Sequence, residues 1–285
     1  MPADAKQNIV IDVLVPAYNE EATILDLLRS VRRQKVDGFR FNIIVVDDGS
    51  KDSTPQLLND NPDLYDEMIR RENGGKGAAV ITGLQAAKGE YILFQDADLE
   101  YDPDEYADLV MPIAAHDADI VMGSRMLAPK ITRVHYFWHK IGNNVITLAF
   151  NILNNTTFTD TYSCYLMYRR SLVTPHELDT RGWEQHAEIL SLASRRAKRI
   201  YEVPVSYHGR SYEDGKKIRW HHALPVLWTI LKMRLFRAAK ATRHTAVCST
   251  SVMGPLMHPE AREQEVWAPA SPWRRPDGTV DEERV

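Results

Sequence analysis

The stretch Phe41-Asn42-Ile43-Ile44-Val45-Val46-Asp47-Asp48-Gly49-Ser50 passes from almost uniformly apolar to acidic and turn-forming within ten residues. A strand that is apolar on both faces must be covered on both, the usual condition of a strand inside a parallel sheet. Working outward, IVIDVLVP (Ile9 to Pro16) has the same character. A helical pattern from about Glu20 to Gln34 separates the two runs, with Ile24, Leu27, Leu28 and Val31 on one face. Downstream come a short helix opened by Thr54-Pro55, a strand around Met68 to Arg70, a helix from Ala78 to Ala87, and YILF (Tyr91 to Phe94). This alternation predicts an α/β fold with a mostly parallel central sheet flanked by helices, of nucleotide-binding style.

In such sheets a ligand sits in the crevice beyond the carboxyl ends of the strands. The residues that follow each run are therefore the chemical candidates. They are Pro16-Ala17-Tyr18-Asn19-Glu20, Asp47-Asp48-Gly49-Ser50, Asn73-Gly74-Gly75-Lys76-Gly77 and Gln95-Asp96-Ala97-Asp98-Leu99-Glu100. Polar and glycine residues thus recur at one edge of the sheet.

Composition sets the outer bounds. The 285 residues are 44% hydrophobic and 26% charged, with 35 Lys or Arg against 39 Asp or Glu and a formal charge of -4. That composition excludes collagen-like, mucin-like and wholly disordered chains. Only Cys164 and Cys248 occur, without CxxC spacing, which argues against a disulfide scaffold and a zinc site. The N-terminal MPADAKQNIV lacks the order of a signal peptide, and no stretch of about 18 residues is apolar enough for a membrane span. The expectation is a cytoplasmic protein.

The chain divides into a principal domain over 8–209, a basic amphipathic segment over 210–243 and a tail over 244–285. The middle segment carries nine Lys or Arg against Glu213 and Asp214, interleaved with Trp220, Leu224, Trp228 and Leu231, a pattern suited to an anionic membrane surface. The tail has no apolar periodicity and reads as disordered.

Asp96 and Asp98 stand two apart at a strand end, so extended geometry puts both carboxylates on one face. Such a pair can share Mg²⁺ or Mn²⁺ with a diphosphate. It can equally be an acidic loop before a helix started by Asp102, Pro103 and Asp104. NGGKG lacks P-loop spacing; it is either a plain strand-to-helix turn or a set of amides with Lys76 at an anion-binding helix start. Asp47-Asp48-Gly49-Ser50 is an Asx turn, or supplies an acceptor for a base N–H or a ribose hydroxyl.

Together PAYNEE, VVDDGSKDST, NGGKGAAVITG and ILFQDADLEYDP resemble, in order and spacing, the inverting glycosyltransferases of family 2 with the GT-A fold. The dolichyl-phosphate mannosyltransferase and polyprenyl-phosphate glycosyltransferase group is the nearest in pattern. GSRM, FWHKIGNN, TDTYSCYLMY, EVPVSY and GRSYEDGKKIRW extend the likeness to about residues 8–237. The resemblance implies a UDP- or GDP-linked sugar donor. It implies that Pro16, Tyr18 and Glu20 border the nucleoside, that one or both of Asp47 and Asp48 hold it, and that Lys76 and Gly77 lie close by. Asp96, Ala97 and Asp98 match the motif at ribose and metal, with Asp98 leading for direct metal contact and Glu100 beside it. Arg125 matches an arginine that meets phosphate.

A lipid phosphate acceptor arrives already anionic, whereas a hydroxyl acceptor needs a general base, for which Asp160, Glu184 and Glu188 are the candidates. Arg210, Lys216, Lys217 and Arg219 beside an apolar helix point to a polyprenyl phosphate headgroup and to peripheral contact with a membrane. The family pattern of C-terminal transmembrane helices is missing, which keeps a soluble or glycan hydroxyl acceptor as the alternative. A non-catalytic nucleotide-sugar sensor is the alternative of another class. His135, His139, His221 and His222 lack metal-motif context, and the negative net charge argues against nucleic acid as a partner.

Overall fold

In the computed structural model, which describes residues 8–127, 137–209 and 223–247, β1 (Ile9–Ala17), β2 (Phe39–Asp47), β3 (Glu67–Arg70) and β4 (Tyr91–Phe94) run parallel. Beyond them lie β5 (Ile120–Ser124), β6 (Leu166–Arg169) and β7 (Ile200–Pro204), in a seven-stranded sheet of order β3-β2-β1-β4-β6-β5-β7. β6 is antiparallel to both β4 and β5, while β5 and β7 are parallel. The helices are α1 (Ile24–Arg33), α2 (Thr54–Asp60), α3 (Lys76–Ala86), α4 (Tyr106–His116), α5 (Phe137–Asn154), α6 (Gln185–Arg196) and α7 (Ala223–Val247). The predicted α/β class with a mostly parallel sheet is therefore the one observed.

Strand alternation splits the core in two. Leu14, Ile44, Val46 and Phe94 face a layer that holds residues of α3, α5, α6 and α7. Val13, Val15, Ile43 and Val45 face the other layer, with Ile24, Leu27, Leu28 and Val31 of α1 and Leu109 and Val110 of α4. Every internal β1 and β2 residue from Val13 to Val15 and Ile43 to Val46 is buried, as continuous apolar runs require.

Helix boundaries depart from the periodicity for tertiary reasons. α1 begins at Ile24 rather than near Glu20, because loops from elsewhere capture the intervening groups. Thr54 Oγ1 accepts Glu20 N at 2.9 Å, Asp52 accepts Glu21 N at 3.1 Å, and Thr23 Oγ1 donates to Ala97 O at 2.7 Å. α3 begins two residues before the expected Ala78, directly after Gly75, whose φ of 90° turns the chain into the helix. β7 ends at Pro204, which has no N–H to continue a ladder.

The contacts of the chain cluster into 1–243 and 244–285. The segment 210–222 and residues 248–285 lie outside the described residues, and with them Arg210, Lys216, Lys217, Arg219 and most of the expected tail.

Asp12, fully buried in β1, accepts Lys88 N and Gly89 N at 2.6 Å each and Asn42 Nδ2 at 2.8 Å, which fixes the entry to β4. Asp12→Ala leaves those donors without their charged acceptor and is expected to cost about 3 kcal/mol of unfolding free energy, read by urea denaturation.

Candidate active site

β1, β2 and β4 end at one edge because they are parallel: Ala17 is level with Asp47, and Leu14 with Phe94. Their following loops, the start of α3 and the 182–183 segment enclose a cavity of about 360 Å³. Pro16, Ala17, Tyr18 and Glu20 line it from the end of β1, Asp48 from β2, and Asp96, Ala97, Asp98 and Glu100 from β4. Five of these side chains are carboxylates, and Lys76 is the cationic side chain among the lining residues.

The two aspartates after β2 have different tasks. Asp47 is fully buried, accepts Ser50 N at 2.9 Å and lies 3.2 Å from Arg70 Nε, so it builds the turn and does not line the cavity. Asp48 does line it. Its carboxylate pairs with Arg71 and accepts Gly74 N at 3.1 Å and Gly75 N at 2.8 Å, which moulds the glycine turn around it. Gly77 lies behind that turn, donating to Arg181 O at 2.9 Å. A Cβ there would meet the Arg181 carbonyl carbon at 2.6 Å, so Gly77 serves a close backbone approach.

Lys76 Nζ reaches Asp96 Oδ1 at 2.5 Å and sits 5.0 Å from the centroid of the Trp183 ring. Removal from bulk water lowers the Lys76 ammonium, but Asp96, with Asp98 further off, overrides it and holds the group above its ordinary value. For Asp96 burial pushes upward, and Lys76 brings the carboxyl below its usual range. Both groups are therefore charged at neutral pH.

Asp96 and Asp98 reach the same cavity without the expected extended geometry. The strand stops at Phe94, and a turn with Leu99 at φ 58° presents the side chains. Asp98 Oδ1 accepts Glu100 N at 3.1 Å, and Glu100 Oε2 accepts Tyr207 OH at 2.7 Å. Beneath this turn the buried Gln95 Oε1 accepts both Tyr106 OH and Tyr165 OH at 2.9 Å. Among the described residues no group of three or more His, Cys, Asp or Glu forms a cage for a metal ion. Carboxylate oxygens such as those of Asp98 are the donor type that suits Mg²⁺ or Mn²⁺, which take few protein carboxylates when a diphosphate supplies further ligands.

Arg125 lines a second cavity of about 80 Å³ that shares Lys76, Asp96, Glu100, Trp183 and Tyr207 with the first. Its guanidinium is gripped through two hydrogen bonds by the fully buried Asp160, at 2.6 and 2.8 Å, and lies 5.0 Å from the Tyr207 ring centroid. Arg125 N, at 3.2 Å, and Asn143 Nδ2, at 3.0 Å, also donate to Asp160. Burial raises Asp160, yet Arg125 holds its carboxyl below the usual range.

The base candidates are thus placed elsewhere. Asp160 positions Arg125 and lines neither cavity. Glu188 is buried in α6 and accepts Thr180 N at 2.9 Å and Thr180 Oγ1 at 2.6 Å, holding the 179–180 loop. Glu184 turns toward Gly182 N at 3.3 Å.

Trp183, Tyr207, Cys164 and His186 also line these cavities, and the sequence did not single them out. No local spacing joins Trp183 and Tyr207 to the four strand-end motifs. EVPVSY, a recognised segment, ends on Tyr207 and was the available signal.

The family model "Glycosyl transferase family 2" matches residues 12–174. A UDP-N-acetylglucosamine–dolichyl-phosphate N-acetylglucosaminyltransferase of Methanococcus voltae is 30% identical over 246 residues, covering 79% of this chain and 96% of that protein. The low-salt glycan biosynthesis hexosyltransferase Agl6 of Haloferax volcanii is 27% identical, covering 78% of this chain and 54% of its own length. An undecaprenyl-phosphate 4-deoxy-4-formamido-L-arabinose transferase of Pseudomonas aeruginosa is 30% identical, with 73% and 60% covered. The chain therefore spans little more than half of two of these relatives and nearly all of the third. Among solved structures, glucosyl-3-phosphoglycerate synthase of Mycobacterium tuberculosis superposes with a TM-score of 0.61 at 20% identity, covering 80% of this chain and 82% of that one. S. aureus TarS 1-349, in complex with UDP-GlcNAc, gives 0.53 at 18% identity, covering 81% and 69%. These likenesses establish the GT-A fold.

Burial, joined by Lys76, lowers His186 from 6.5 to about 4. The folded imidazole therefore stays neutral while the unfolded one takes a proton, so its contribution to stability is full above 6.5 and declines as pH falls toward about 4. His186→Phe is expected to flatten that part of the stability profile, measured by denaturant unfolding across the interval.

Proposed function

The chain belongs to glycosyl transferase family 2 and is a glycosyltransferase, and we propose that it moves a sugar from a UDP- or GDP-linked donor to a polyprenyl phosphate with inversion. The observation that carries the donor reading is the charge of the strand-end cavity, five carboxylates against one lysine. A nucleoside diphosphate is itself anionic, and a mouth of that sign admits it only together with a cation. Mg²⁺ or Mn²⁺, held by Asp98 and Glu100 with Asp96 beside them, fits those donors. A neighbour in the fold, glucosyl-3-phosphoglycerate synthase, was crystallised with Mn²⁺ and UDP.

Each residue then has a task. Asp48, already fixed by Arg71 and two glycine amides, offers its carboxylate to N–H or O–H groups of the nucleoside. Tyr18 and Pro16 wall the nucleoside end. Lys76, permanently charged, supplies the positive field that favours the diphosphate, and Trp183 beside it limits water. When bound, the divalent cation neutralises charge developing on the leaving diphosphate. The acceptor oxygen must approach the anomeric carbon from the side opposite that leaving group.

Commitment of Asp160, Glu184 and Glu188 to structural partners favours the phosphate acceptor. A phosphate oxygen needs no deprotonation, and Arg125 is a preoriented cation for it. The Methanococcus and Pseudomonas relatives are named for dolichyl-phosphate and undecaprenyl-phosphate. Among the described residues no helix is long and apolar enough to cross a membrane; a polyprenyl phosphate acceptor would bring the enzyme to the cytoplasmic face of a membrane.

Asp98→Asn is expected to lower transfer from the donor by at least about 100-fold, a preorganised charge effect of the usual size. Chelation should abolish transfer, and Mg²⁺ or Mn²⁺ should restore it. Arg125→Gln should raise the KM for polyprenyl phosphate in a radiolabelled-sugar extraction assay. Full activity on a water-soluble alcohol, with none on polyprenyl phosphate, would assign the acceptor to the hydroxyl class instead.

A further inference from the structure

Gln185 and His186, the first two residues of α6, line the second cavity and not the first. Gln185 is 4% exposed, yet among the described residues its Nε2 has no hydrogen-bond partner, and neither has the buried Nε2 of His186. A buried polar nitrogen left unpaired costs stability, so the fold alone gives no reason for it. Among the described residues no side-chain atom in that condition lines the acidic mouth. The unmet hydrogen bonds belong to the smaller cavity.

These groups are held in place. The His186 ring lies 5.7 Å from the Tyr162 centroid and 6.4 Å from that of Phe94, and Tyr162 OH donates to Trp183 O at 2.6 Å. Burial also keeps the imidazole neutral near pH 7, so it offers a hydrogen bond and no charge.

The position of the cavity identifies the part of a substrate that reaches them. It shares Lys76, Asp96, Glu100, Trp183 and Tyr207 with the mouth and contains Arg125 besides. In a displacement, the group in transfer is bonded to the leaving diphosphate and faced by the acceptor, so it must adjoin both. That group is the sugar. A cavity of about 80 Å³ has room for about six water-sized groups, too little for a nucleoside and enough for part of a pyranose. Aromatic walls with a few convergent polar groups suit such a ring.

We infer that Gln185 and His186 select the transferred sugar by hydrogen bonding an oxygen substituent, a hydroxyl or an amide carbonyl, that the pyranose directs into the second cavity. The inference rests on the nucleotide-sugar donor reading and adds a specificity subsite to it. A sugar without that oxygen leaves both nitrogens unpaired in the complex and is rejected for that reason.

The test needs no acceptor. The full chain, with Mg²⁺, is titrated calorimetrically with UDP, GDP, UDP-glucose, UDP-N-acetylglucosamine and GDP-mannose, and then with monodeoxy and deacetylated analogues of the tightest-binding sugar donor. One such deletion should weaken wild-type binding by about tenfold or more. In Gln185→Leu or His186→Phe the same ratio should shrink to within about twofold, with affinity for the bare nucleotide unchanged. Gln185→Leu should also melt at or above the wild-type temperature, because leucine removes an unpaired donor; an amide that held the fold together would lower it. A ratio that survives both substitutions, a wild type indifferent to every deletion, or a lowered melting temperature in Gln185→Leu would overturn the inference while bare-nucleotide binding leaves the donor reading standing. Failure of UDP and GDP alike to bind would overturn both.

Discussion

Like charges crowded at the end of a parallel sheet govern this molecule. Glu20, Asp48, Asp96, Asp98 and Glu100 converge because β1, β2 and β4 stop at one level, and the backbone leaves them no other exit. Each carboxylate that stays charged must find a donor or a cation. Asp48 takes Arg71 and two amides, Asp96 takes Lys76, and Glu100 takes the Tyr207 hydroxyl. The glycine turn, the start of α3 and the post-β7 segment are therefore drawn to the same place by one electrostatic requirement. The Lys76–Asp96 pair keeps the mouth organised.

Much of this edge was legible in the chain. A strand buried on both sides writes itself as an uninterrupted apolar run, and the polar residues after such a run have only the sheet edge to occupy. That logic puts Tyr18, Lys76, Asp96, Asp98 and the pair Asp47-Asp48 at the edge. Between Asp47 and Asp48 it had no leverage, because adjacent side chains diverge according to which one finds Ser50 N and Arg70. The start of α1 escaped it too, since the captors of residues 20 to 23 come from 31 to 74 residues away.

Roles carried by polar residues far from the strand ends were harder to read. A carboxylate in a sequence advertises a base, a metal ligand or an ion pair equally well. Asp160 and Glu188 are told apart from bases only by what surrounds them, a guanidinium in one case and a pair of loop donors in the other. Trp183 and Tyr207 reach the cavity through tertiary folding alone. The antiparallel insertion of β6 between β4 and β5 likewise follows from chain reversal after α5, which no period in TDTYSCYLMY encodes.

A net charge of -4 conceals a segregation that matters more than its value. Acidic groups are gathered at the strand-end mouth, and the segments without Asp or Glu carry helices with exposed apolar residues. The two regions meet at Arg125, which faces the second cavity while its anchor Asp160 is bonded from α5. Displacement with inversion needs nucleophile and leaving group on opposite sides of one carbon. In the proposed reaction the donor would lie in the acidic mouth and the acceptor would come from the Arg125 cavity beside it. α5 and Arg125 are thus fixed to one another through a single buried carboxylate, Asp160.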